Sequence, residues 1–274
     1  MRIQFLGTAA SEGWPAVFCQ CEACKKAKEL GGKNIRSRSS CIIEDKYMID
    51  FPPDTFMHMI KNKLDLAKIQ HLFITHSHED HFYPEDLFTR QEPYAHIDKQ
   101  YLAPMNIYGN STVKKEFNKL GGEKNSNGSL KFQELKPFQH IKIEDVEVYT
   151  LLADHKPDEQ CLLYIIKIGN KTLLYGHDSG YFPERSWKEI AKHKIDGVIF
   201  DCTFGFMEMK KGHMGFSAAL EIKDRMLRES IASENTKYII THFSHNVGLM
   251  HEEIEKKAGE YGFITAYDGM FLEI

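Results

Sequence analysis

The chain has 274 residues, with 35 lysines and arginines against 39 aspartates and glutamates, a formal net charge of −4, and 14 histidines. So mildly acidic a chain has no electrostatic grip on long polyanions, which counts against a protein that coats DNA or RNA but not against one that holds a small phosphorylated molecule. With 42% hydrophobic and 27% charged residues, the composition is globular; no apolar run approaches the ~20 residues of a membrane span and no leader-like stretch opens the chain, so a cytoplasmic protein is expected.

Short apolar strands alternate with helical stretches along the chain. Strands are expected at Arg2–Leu6, Cys41–Glu44 and Tyr47–Asp50, then a helix from an N-capping Asp54 to Asn62, with Phe56, Met59 and Ile60 on one face. His71–Thr75 is a continuous apolar run of strand length, and it leads directly into His76-Ser77-His78-Glu79-Asp80-His81. Further strands are expected at Tyr101–Tyr108, Ile141–Ile143 and Val146–Leu152, while Leu162–Ile168 and Lys171–Tyr175 flank the hairpin signal Gly169-Asn170. Helical patterns at Glu184–Lys192, Ser217–Ser230 and His251–Tyr261 alternate with strands at Gly197–Cys202, Lys237–Thr241 and Phe263–Ile274. Gly121–Gly128 reads as a surface loop, and His96–His140 carries no motif. The order fits one α/β domain over residues 1–274, built of two sheets covered by helices.

The histidine cluster carries the chemistry. In an extended segment, residues two apart point the same way, so His76 and His78 can reach one ion, and a turn after them would face Asp80 and His81 toward a neighbouring one. A solvated loop explains polarity but not three imidazoles at this spacing. The H-x-H-x-D-H pattern after an apolar strand resembles the signature of the metallo-β-lactamase superfamily. The resemblance continues through Asp50 at the end of YMID, His155 in LLADH, Asp178 in YGHDSG and His242 in IITHFSH. It implies a four-layer αββα sandwich of two mixed sheets flanked by helices. It also implies that His76, His78 and His155 hold one divalent metal, that Asp80, His81 and His242 hold a second, and that Asp178 lies between them. Two such ions share a bridging hydroxide and stabilise charge on a phosphoryl group. Imidazole-rich ligation suits zinc, and the carboxylates leave manganese or iron open. Asp50 and Asp201 are expected behind the ligands, as hydrogen-bond partners of imidazole N–H groups or as structure.

Cys19, Cys21 and Cys24 stand within six residues. In a chain with no secretion signal, such clustering points to metal more than to a disulfide, although redox chemistry stays open. Structural zinc takes four ligands, and His245 is the natural fourth. C-x-C-x2-C together with Thr241-His242-Phe243-Ser244-His245 resembles a narrower subgroup, the phosphoribosyl cyclic phosphate phosphodiesterases (PhnP), in which these segments form a structural zinc site beside the catalytic one. The opening FLGTAASEGWPAVFCQC and the closing Ala266-Tyr267-Asp268-Gly269-Met270 are also similar to that subgroup.

His213, in Gly212-His213-Met214, resembles a histidine that tRNase Z and PhnP-like enzymes place near the metals. The resemblance implies a proton donor to the leaving group, with Asp80 also in the catalytic machinery; on chemistry alone, His213 reads equally as a surface histidine in a lysine-rich loop. The expected function is hydrolysis of a small cyclic or nucleotide-like phosphodiester. A tRNase Z-like endoribonuclease and a PqqB-like protein of quinone cofactor biosynthesis are the alternatives. The expected partner is a small anionic phosphodiester; no membrane is implied, nucleic acid is not favoured, and a homodimer is left open.

Overall fold

A computed structural model describes residues 1–274. The first six strands are β1 (Arg2–Gly7), β2 (Ser40–Ile43), β3 (Tyr47–Ile49), β4 (His71–Phe73), β5 (Met105–Gly109) and β6 (Leu130–Glu134). The next seven are β7 (His140–Ile143), β8 (Val146–Leu152), β9 (Leu162–Ile168), β10 (Lys171–Gly176), β11 (Gly197–Asp201), β12 (Lys237–Thr241) and β13 (Phe263–Thr265). A last strand, β14 (Phe271–Glu273), returns to pair antiparallel with β1. Two mixed seven-stranded sheets result, ordered β14-β1-β2-β3-β4-β5-β6 and β13-β12-β11-β10-β9-β8-β7.

The central strands are apolar on both faces because both faces are covered, whereas the edge strands β6, β7 and β14 keep exposed polar positions. On β2, Cys41 and Ile43 join the cluster between the sheets, while Ile42 faces the outer cluster with Val113 and Phe117 of helix α3 (Ser111–Lys119). On β9, Leu162, Tyr164 and Ile166 point between the sheets, while Leu163 and Ile165 point to the opposite side. There they meet Trp187 of α4 (Glu184–Ile190), Ile222 and Met226 of α5 (Phe216–Arg228) and Ile254 of α6 (His251–Gly259). Three apolar clusters thus fill the gaps of a four-layer αββα sandwich, as the sequence leads one to expect.

Two strand expectations are corrected. Tyr101–Tyr108 begins in a tight turn at Lys99–Tyr101, and the strand starts only at Met105, because Pro104 has no N–H to give to a ladder. Phe263–Ile274 is two strands in different sheets, separated at Gly269, whose φ of 88° is a left-handed turn conformation. Within the stretch without motifs, α3 is capped by Asn110, whose side chain accepts from the Thr112 and Val113 N–H groups. Helix α1 (Glu22–Leu30) buries only Cys24 and Ala27, and α2 (Thr55–Asn62) lies beside β1, where Asn62 accepts from Gln4. No helix is long and apolar enough to cross a membrane.

The parallel runs β3-β4-β5 and β10-β11-β12-β13 bring strand ends to one edge of the sandwich. Asp50, His76, Asp178 and His242 follow β3, β4, β10 and β12 there, with His155 just after β8 and Asp201 at the end of β11. The crevice at the carboxyl ends of strands is where open α/β sheets gather ligands.

Candidate metal centre

Two sets of donors converge at this edge. His76 Nε2 and His155 Nε2 lie 2.9 and 3.1 Å from His78 Nδ1. Asp80 Oδ2 lies 3.2 Å from His81 Nε2 and 4.0 Å from His242 Nε2. Asp178 Oδ2 stands between the sets, 3.7 and 3.4 Å from the Nε2 atoms of His76 and His155. It is 3.4 and 3.6 Å from those of His81 and His242. The structure thus brings His76, His78, His155 and Asp178 together, and Asp80, His81 and His242 together, and it adds an overlapping group of Asp178, Asp201, His213 and His242.

In four of the five imidazoles the remaining nitrogen meets an oxygen that fixes the ring's orientation. His81 Nδ1 donates to Asp50 Oδ2 at 2.8 Å, and His155 Nδ1 to the Gly212 carbonyl at 2.9 Å. His242 Nδ1 pairs with Thr203 Oγ1 at 2.8 Å and His76 Nδ1 with Thr75 Oγ1 at 3.0 Å. Oxygen partners behind the ring and free nitrogens in front are the usual arrangement of metal-binding histidines. Asp50 and His242 hold left-handed backbone, φ 61° each, which costs about 1–3 kcal/mol per residue and is retained where the surroundings over-determine it.

The donor set fits divalent metal. His81 Nε2 and His242 Nε2 are buried without any hydrogen-bond partner, an unfavourable state that a ligand would relieve. Burial pushes the His76, His78 and His242 imidazoles below their ordinary value, so they are neutral and present a lone pair. Burial opposes the Asp80 carboxylate, yet His81, whose imidazole is itself pushed up by Asp80 and Asp50 against its burial, holds the Asp80 pKa below the usual carboxylate range. Adjacent cations would act in the same sense.

His213 sits beside these groups. Its Nδ1 lies 2.6 Å from Asp178 Oδ1 and 2.9 Å from Asp201 Oδ2, leaving Nε2 for the cleft. Burial opposes its protonation, but the two carboxylates outweigh it and push the pKa up to about 11. Asp201 is fixed in turn by the N–H groups of Thr203 and Met214. The cleft has a volume of about 320 Å3 and is lined by His78, Asp80, His155, Asp178, His213 and His242 among others. His177, next to Asp178, does not line it: the ring is buried, with Nε2 2.5 Å from the Tyr175 hydroxyl.

A second donor cluster joins Cys19, Cys21, Cys24 and His245, whose ligand atoms all lie within 4.8 Å of one another. His245 Nδ1 is 3.7 Å from Cys19 Sγ and 3.5 Å from Cys21 Sγ. Tetrahedral zinc, with ligands at ~2.0–2.3 Å, sets ligand atoms roughly this far apart. The Cys24 N–H, donated to Cys21, is the main cause that lowers the Cys21 thiol to about 6, whereas burial raises Cys24 to about 11.

Sequence reasoning missed two supports. The buried Glu159 accepts from the Ser77 N–H at 2.9 Å, the Ser77 hydroxyl at 2.6 Å and Asn110 at 2.8 Å, pinning the histidine loop from below. Thr203 bridges His213 and His242. Both are single polar residues in loops, and no spacing marks them.

The sequence model of the Beta-lactamase superfamily domain matches residues 47–243. No curated protein matches the sequence. Among solved structures, a diphosphatase from the PhnP family is similar over 100% of this chain and 98% of its own, with a TM-score of 0.76 and 18% identity. Zinc-bound PqqB from Methylobacterium extorquens is similar over 100% of both chains (TM-score 0.72, 16% identity). The short form of human tRNase Z is similar over 100% of this chain and 99% of its own (0.68, 17%). At these identities the likeness is one of fold.

Proposed function

The chain belongs to the metallo-β-lactamase superfamily, and on that premise we propose that it is a binuclear metal-dependent phosphodiesterase acting on a small cyclic or nucleotide-like phosphodiester, its residues 1–274 forming one catalytic domain. The observation that carries this reading is Asp178 Oδ2, shared between two imidazole sets and opening on a cleft of about 320 Å3. A cleft of that size suits a small ligand better than a folded RNA. We assign His76, His78, His155 and Asp178 to one ion, and Asp80, His81, His242 and Asp178 to the other, zinc or manganese in each. Such ions would supply a water of lowered pKa and polarise the phosphoryl oxygens. Cys19, Cys21, Cys24 and His245 are assigned to a structural zinc.

The chain's own residues orient and protonate. Asp50 and Thr203 hold the rings of His81 and His242, and Asp201 presents His213 with Nε2 toward the cleft, where it can deliver a proton to a departing alkoxide. Asp50→Asn is expected to weaken binding of the second ion by about 10–100-fold, since it loses the carboxylate that makes His81 a stronger ligand. Competition against a chromogenic chelator measures this, and unchanged affinity would remove Asp50 from the role. His213→Ala is expected to slow cleavage of an unactivated alkyl diester by about 100-fold or more and an activated aryl diester much less. Equal losses on both substrates would count against proton donation.

The reading itself is tested by loading the protein with zinc or manganese and comparing cyclic diesters, linear diesters, precursor tRNA and a β-lactam. Turnover confined to small diesters is the expected result. Cleavage of precursor tRNA alone, or of none of the four, overturns it.

A further inference from the structure

Part of the cleft wall takes no part in holding metal. It comes from the loop after β1 and the turn after β12, as Ser11, Glu12, Ser244 and Asn246. The Ser244 hydroxyl donates to Glu12 Oε1 at 2.5 Å and accepts from the side chain of Asn246 at 3.1 Å. Glu12 is thereby anchored through Oε1, which also lies 3.8 Å from His245 Nε2 at the edge of the thiol cluster. Its other oxygen, Oε2, has only a long contact with the Ser11 hydroxyl, 3.4 Å, and the side chain is 30% exposed.

Charge decides what this wall can take. No lysine or arginine lines the cleft. The single negative charge of a diester would be met at the metal clusters, but a second phosphate elsewhere on the substrate would meet the Glu12 carboxylate with no cation to offset it. Hydroxyl groups suit the wall, because a carboxylate accepts one or two O–H donors and the serine and amide groups beside it can both donate and accept. An ammonium group would satisfy Glu12 too, but the cleft contributes one aromatic ring, Phe204, where recognition of alkylated ammonium uses a cage of rings.

Resting on the phosphodiesterase reading, we propose that Glu12, with Ser11 and Asn246, binds hydroxyl groups on the organic part of the substrate, so that the preferred substrate is a sugar phosphodiester carrying no second phosphate. A site built around a hydrogen-bonded hydroxyl rejects analogues that lack it, because its own polar groups are then left unpaired.

The test uses the full, metal-loaded chain and three substrates: a ribose cyclic phosphate, the same compound bearing a further phosphate on its primary hydroxyl, and bis(para-nitrophenyl) phosphate. The wild type is expected to prefer the unphosphorylated sugar to the phosphorylated one by about 10-fold or more in kcat/KM. Glu12→Gln is expected to lower the ratio of sugar to aryl kcat/KM by about 10-fold or more, chiefly through KM. Glu12→Lys is expected to shift preference toward the phosphorylated sugar by about 10-fold, a gain that a merely structural role for Glu12 would not produce. A wild-type preference for the phosphorylated sugar, or selectivity unmoved in both variants, overturns the proposal while leaving the phosphodiesterase reading intact. Failure of the wild type to cleave any of the three diesters overturns both.

Discussion

Asp178→Asn is expected to reduce turnover of a small diester by about 1,000-fold or more, with fewer metal ions retained per chain. The substitution keeps the shape of the side chain but removes the charge from an oxygen that stands 3.4–3.7 Å from four imidazole nitrogens. No other carboxylate reaches both sets: Asp80 stays with His81 and His242, and Asp201 faces His213 and Thr203. The same change removes the charge 2.6 Å from His213 Nδ1, so the proposed proton donor keeps only the Asp201 carboxylate beside it. Elemental analysis and kcat on the same preparation check the expectation together. Activity within about ten-fold of the wild type at full metal content would show that the two sets need no shared anion.

Cys21→Ser is expected to release one metal per chain and to lower Tm by roughly 10 °C, the equivalent of a few kcal/mol in a chain of this size. The thiol sits at the start of α1, beside His245 and within reach of the Cys24 N–H, and its cluster ties the loop after β1 to the turn after β12. Differential scanning calorimetry with metal analysis reads the outcome. A variant that keeps its metal and its Tm yet loses activity would make Cys21 a reactive rather than a structural thiol.

What was legible in the sequence follows from how local each signal is. His76, His78, Asp80 and His81 announce themselves because the four lie in six consecutive positions; Asp178 and His242 were placed by the family resemblance, each behind an apolar run that is a strand. Two sheets covered by helices could be read from the order of strands and helices, and the four-layer arrangement from the family resemblance; β2 and β9, apolar at successive positions, have both faces covered. Pro104 hid the true start of β5, and α1 was hidden because only Cys24 and Ala27 face inward from a lysine-rich segment. Glu12, Glu159 and Thr203 were not visible at all. Each acts through a partner far away in the chain, such as Ser77 for Glu159 or Ser244 for Glu12, and a single polar residue in a loop looks the same whether or not such a partner exists.

His242 and His245 are three residues apart on one turn, one facing the catalytic edge and the other the thiols. A reagent that alkylates or oxidises the exposed Cys21 therefore pulls on the segment that carries His242, although no cysteine lines the cleft. Inhibition by such a reagent would look, in an assay, like the signature of a cysteine nucleophile. In this protein it would report on the foundations of the active site rather than on the chemistry carried out there.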